Sequence, residues 1–123
     1  MNDGGTTARA TTANMKKMAN KMYELNPDAS VMFVATMTPH LNSNWDHASI
    51  GAQEAEFLKQ AKNFREEGKV CAVACVNSLS KSIQEHKTFN DYSGNNINHP
   101  NDWFYRVYAQ TMLQTLIGYE NMN

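Results

Sequence analysis

The run Gly94-Asn95-Asn96-Ile97-Asn98-His99-Pro100-Asn101-Asp102 concentrates more chemistry-bearing side chains than any other stretch of the chain. It sets one histidine among four asparagines, with a proline directly after it to stiffen the backbone. Imidazole titrates closest to neutrality of all the side chains, so a histidine in this setting suits general-base work. An isolated histidine more often packs structurally. The amides around it and its place at the end of a long loop bring the catalytic reading level with that one.

The other candidates are poorer. His40, His47 and His86 are scattered, and His40 and His47 with Asp46 match no zinc-ligand spacing, so no metal site is expected. Cys71 and Cys75 sit four residues apart in an apolar run that reads as a strand. Four strand residues span about 13 Å, too far for a disulfide, and the CxxC spacing of a redox or metal pair is absent. Gly4-Gly5 is neither GxGxxG nor GxxxxGK[ST], so nothing cradles a phosphate. Of the seven serines only Ser78, after a strand, has even a weak nucleophile context.

These residues need elements to hold them. Met15, Met18, Ala19, Met22 and Leu25 recur at helical spacing, predicting a helix over 8–25 whose methionine stripe packs into a core. Thr6, Thr7, Thr11 and Thr12 offer caps, and Asn26-Pro27-Asp28 ends it. Val31–Met37 reads as a strand buried on both faces. Residues 38–48 form a polar loop long enough to suggest function. Ser49 is expected to cap a helix running to Glu67, with Ile50, Phe57, Leu58, Ala61 and Phe64 inward and Gly68 closing it. Val70–Val76 is the second strand. Asn77 and Ser78 open another loop, with a short helix within 79–88. A final helix spans about Asp102 to Ile117, with Phe104, Val107, Tyr108, Thr111 and Met112 inward and Gly118 at its end.

Alternation of this kind implies parallel strands joined by right-handed crossovers. Two such apolar strands want neighbours, so the chain reads as a piece of a doubly wound α/β domain. Ligands then bind beyond the carboxyl ends of the strands, where the segments 38–48 and 77–101 lie. The chain's 123 residues suffice for one domain. A net charge of −1 lacks the basic excess of a non-specific nucleic-acid binder, and no apolar run approaches membrane-span length. The first 30 residues hold no signal-peptide core. The opening Asn2–Thr7 reads as a loop, a hint of something upstream.

Asn98-His99-Pro100-Asn101-Asp102, followed by Arg106-Val107-Tyr108-Ala109-Gln110, resembles the C-terminal signature of SGNH hydrolases, the GDSL-type lipases and esterases. Met1-Asn2-Asp3-Gly4-Gly5 resembles that family's Gly-x-Asn-Asp block without its glycine, and Asn26-Pro27-Asp28-Ala29 resembles the entry to its central strand. The resemblance implies a three-layer α/β/α flavodoxin-like fold, with residues 1–123 the C-terminal portion of a single esterase domain. It implies cofactor-free, serine-nucleophile hydrolysis of a small-molecule or carbohydrate ester, acetyl esters of carbohydrates being one option. His99 would be the general base and Asn2 an oxyanion-hole amide. The family's acid lies three residues before the histidine, where this chain has Asn96. Asp91 or Asp102 could substitute, or the site could run as a Ser–His pair. The Gly-Asp-Ser nucleophile block falls outside these residues, so the chain alone is expected to be inactive, its partner being the N-terminal portion of its own domain. The alternative is a non-catalytic α/β module for binding or assembly, which Asn96 in the acid's place favours. A nucleotide- or flavin-binding protein is a poorer third option.

Overall fold

The computed structural model describes residues 7–40, 42–44 and 47–120, excepting the side chains of 119 and 120. Asn2 and its block, and Trp45 and Asp46, lie outside the described residues.

Helix α1 spans Ala8–Leu25. Thr7 caps it by accepting the Ala10 N–H at 3.2 Å, and Ser49 Oγ accepts the Ala8 N–H at 3.0 Å. Together they satisfy two of the donors that a helix start leaves open. Its buried residues are Thr12, Ala19 and Tyr23. The expected methionine stripe is therefore only partly internal: Met15 is half-buried, but Met18, Met22 and Leu25 are 63%, 47% and 74% exposed. The helix is rotated so that Tyr23 points inward, where its hydroxyl donates to Val70 O at 2.7 Å.

Strands β1 (Ser30–Val34) and β2 (Val70–Ala74) pair in parallel, with Ser30 opposite Val70 and Val34 opposite Ala74. They form the one sheet among the described residues. Helix α2 (His47–Glu66) makes the crossover. Val31, Phe33, Cys71 and Val73 share one face of the sheet and pack with Ala19 and Tyr23 of α1 and Phe57, Ala61 and Phe64 of α2. Val34 points the other way, to Met37, Val76, Phe89, Tyr92 and Phe104. Helix α4 (Asp102–Glu120) lies on that second face, so the mixed α/β unit carries helices on both sides of a two-stranded parallel sheet.

Both strands are shorter than expected. After Val34 the ladder gains one more bond, Ala35 N–H to Ala74 O at 3.0 Å. Beyond it Thr36 O and the Thr38 N–H turn to the side chains of Asn77 and Ser80. Burial on both faces fails for β1: only Phe33 is buried there, while Val31, Met32 and Val34 are half-exposed.

Helix α2 starts at His47, two residues before the expected cap, so Ser49 sits in its first turn and serves α1 instead. Leu58 is 45% exposed, and the buried face instead adds Gln53 and Glu54. Gly68 ends the helix as expected. Its φ of +76°, which glycine adopts freely, lets the Gly68 and Lys69 N–H groups return to Arg65 O and Phe64 O. Helix α3 (Val76–Gln84) begins where a loop was expected, with Asn77 and Ser78 in its first turn. A 3-10 turn follows at Phe89–Asp91. Helix α4 continues through Gly118 rather than ending there, and Met112, expected inward, is 38% exposed. Cys71 and Cys75 are free thiols.

Candidate active site

The two segments expected to border the site meet at the carboxyl end of the sheet. The His40 N–H donates to Ile97 O at 2.8 Å, tying the segment that leaves β1 to the loop that carries His99. His40 packs edge-on against Phe89, ring centroids 5.0 Å apart, and its Nδ1 accepts the Asn42 N–H at 3.0 Å.

The 93–100 loop is closed at its base. Ser93 and Pro100 form an antiparallel bridge, and the N–H groups of Gly94 and Asn101 donate to His99 O and Tyr92 O at 2.8 and 2.9 Å. Gly94 makes a tight approach here: a Cβ at that position would lie 3.0 Å from Pro100 O, so the backbone would have to give by a few tenths of an ångström. Next to the loop, Tyr92 packs edge-on against Phe89 and tilted against Phe104, ring centroids 4.9 and 5.1 Å apart, within the second core cluster. Pro100 is buried at the base, and His99 stands exposed above it.

Asn95, which the sequence reading passed over, organises this loop. Its Oδ1 accepts the N–H groups of Ile97, Asn98 and His99 at 3.0, 3.0 and 2.9 Å. Its Nδ2 donates to Asn98 Oδ1 at 3.2 Å and to His99 Nδ1. Asparagine commonly bonds its own following backbone in this way, which is the sequence signal that could have found it.

The residues considered as acid partners sit elsewhere. Asn96 has a φ of +56° and is exposed; it lines a cleft of about 350 Å³ with His40, Asn42, Ser43, Asn44 and Ile97. Asp91 Oδ2 accepts the backbone N–H and hydroxyl of Thr88 at 2.8 and 2.9 Å, capping the 3-10 turn. Asp102 occupies the first turn of α4, where a carboxylate favours the helix start. Asn101 Oδ1 accepts the Phe104 N–H at 3.0 Å and its amide donates to Asp91 O at 2.9 Å, so it fastens α4 to the loop. A second cleft of about 290 Å³ adjoins the first across His40 and Asn42 and is floored by Phe89, with Gln84, Lys87 and Thr88 around it.

A buried polar cluster joins α2, the start of α3 and the segment that leaves β1. Glu54 of α2 is 4% exposed, and its carboxylate accepts the N–H groups of Asn77 (2.8 Å) and Ser78 (3.2 Å). The Ser78 hydroxyl also donates to Glu54 Oε1, which commits that serine to capping α3. The Asn77 amide donates to Thr36 O and Thr38 Oγ1 at 3.2 and 3.1 Å. Ser80 Oγ accepts the Thr38 N–H at 2.8 Å while donating to Asn77 O. Glu54 was legible in one respect: it falls at 50, 54, 57, 61, the inward row of α2. From the other side, the Tyr108 hydroxyl accepts the Met37 N–H at 2.7 Å. Burial pushes the Tyr108 phenol up to about 12, and the Met37 bond offsets this only in part. Burial also raises the Cys75 thiol, with the nearby Glu54 carboxylate adding to it.

Among the described residues, no three His, Cys, Asp or Glu side chains gather as metal ligands, and no helix is long and apolar enough to cross a membrane. No protein-family model, curated protein or solved structure matches this chain.

Proposed function

We propose that the chain is the C-terminal portion of an SGNH-type acylhydrolase of flavodoxin-like fold, in which His99 serves ester hydrolysis by a serine supplied from the remainder of the domain. The observation that carries this reading is the His40–Ile97 bond. It ties the loop that carries the exposed His99 to the segment leaving the carboxyl end of β1, where α/β enzymes assemble their chemistry; Asn96 and Ile97 of that loop line the adjoining cleft, and His99 itself does not. Two features agree with it. Helices α1 and α2 lie on one face and α4 on the other, and the His-Pro-Asn run leads directly into the last helix. In the reaction, serine Oγ attacks the acyl carbonyl while imidazole takes its proton, then returns it to the leaving alkoxide.

The test joins the chain to a segment carrying a Gly-Asp-Ser block. The joined protein should hydrolyse p-nitrophenyl acetate, His99→Ala should abolish turnover without lowering the melting temperature, and the 123-residue chain alone should stay at buffer background. A well-folded joined protein whose turnover ignores His99→Ala would end the proposal.

One observation favours a second reading, a non-catalytic binding module. Among the described residues no carboxylate bonds to His99; the contact at its Nδ1 is the Asn95 amide. Turnover lacking in a folded joined protein, with a small ligand retained in the cleft, would favour it.

A further inference from the structure

We infer that Asn95 is the positioning residue of His99, and that it holds the imidazole as the tautomer whose proton is on Nε2. The inference rests on the hydrolase reading for its consequence but on hydrogen-bond accounting for its content. The three N–H groups converging on Asn95 Oδ1 fix which end of the amide is which. With the amide turned over, its NH₂ would face three donors. The NH₂ therefore points the other way, to Asn98 Oδ1 and His99 Nδ1, and both of its hydrogens are used. An NH₂ donor at Nδ1 needs the Nδ1 lone pair. A neutral imidazole has a single N–H, so that N–H is on Nε2.

The consequence concerns chemistry. A general base must offer an Nε2 lone pair, with Nδ1–H held by an acceptor. Asn95 favours the reverse: His99 at rest offers a hydrogen-bond donor to the exterior, and the base acts through the minority tautomer, which holds the wild-type rate down. The three earlier candidates for an acid partner thus give way to one different position. Asn96 turns to the cleft, Asp91 is held by Thr88, and Asp102 begins α4. Aspartate at 95 has the shape of the asparagine it replaces. One oxygen would keep the three backbone N–H groups, and the other would accept from Nδ1–H, so the ring would expose its Nε2 lone pair. The buried Asn98 amide can then turn its own NH₂ toward the new carboxylate.

The experiment is ¹⁵N–¹H multiple-bond spectroscopy of histidine-labelled 123-residue chain at a pH where the imidazole is neutral. Wild type should show a protonated Nε2 and an unprotonated Nδ1 at His99. N95D should reverse the pattern, and N96D should leave it as in wild type. A protonated Nδ1 in wild type overturns the inference, and needs no variant to fold. So does a folded N95D that keeps the wild-type pattern. In the joined protein, N95D should raise His99-dependent turnover at least about tenfold, a modest share of what a well-placed base supplies, and N96D should not. A reversed tautomer without turnover in any variant removes the hydrolase reading and leaves Asn95 in its role. An unreversed tautomer beside His99-dependent turnover does the opposite.

Discussion

A carboxylate with 4% exposure needs its charge answered, and Glu54 answers it with donors rather than with a cation. Two backbone N–H groups at the start of α3 and the Ser78 hydroxyl supply what water would. Glu54→Ala strands those donors inside the protein and should cost about 2–4 kcal/mol in urea unfolding. Glu54→Gln keeps one acceptor oxygen and should cost clearly less; equal losses for the two would mean that the carboxylate is not the cap. Tyr108 gives a pH dependence. Its folded-state phenol titrates at about 12, against about 10 in an unfolded chain. The folded state therefore holds the proton more tightly, and its contribution is complete below about pH 10 and falls as pH rises toward 12. Burial raises Tyr92 in the same direction. Wild type should lose more stability than Tyr108→Phe between about pH 9 and pH 11, and parallel losses would remove the effect. At this scale the sequence made His99 visible, because a histidine among amides is unusual. Asn95 and Glu54 stayed hidden, because their roles depend on which backbone N–H groups the fold turns toward them.

Elements show the same division. The extents of α1 and the stop at Gly68 follow from local rules, a threonine cap and a left-handed glycine, and both are where the sequence puts them. The orientation of α1 is not local. Ala19 and Tyr23 belong to the inward row, and the competing methionine row is displaced because Tyr23 can bury its ring against Phe64 and bond Val70 O. The start of α3 was missed for a related reason: its cap comes from α2, 24 residues earlier. The loop carrying His99 also depends on one tight approach, that of Gly94 to Pro100. Gly94→Ala forces the loop base apart, so it should destabilise the protein by about 1–3 kcal/mol and broaden the His99 resonances while leaving helix content unchanged. Sharp, wild-type His99 signals in that variant would show that the bridge does not position the ring.

At the scale of the molecule, both outer edges of the two-stranded sheet lack a neighbouring strand among the described residues, and one side of α4 lacks a cover. The Ala35 N–H points to β2, so strand alternation directs the N–H and C=O groups of Met32 and Val34 to the open edge. Helix α4 buries Phe104 and half-buries Val107, Tyr108, Thr111 and Thr115, yet carries a second row rotated by about 120° around its axis. That row is Tyr105, Ala109, Met112, Leu113 and Leu116, all exposed. A helix apolar on two sides is built to be covered on both, and in the proposed flavodoxin-like fold a further strand would pair the open edge of β1. In the isolated chain a second copy offers the same surfaces, and unpaired strand edges recruit one another. The chain should therefore self-associate with rising concentration in sedimentation velocity. The double substitution Leu113→Lys with Leu116→Lys should return it to monomer, because a lysine pair cannot be buried against a matching pair without a large desolvation cost. Met18→Lys on α1, also exposed but on the helix that covers the opposite face of the sheet, serves as the control. Association that survives the α4 pair and yields to the α1 change would place the missing cover on the opposite side of the sheet.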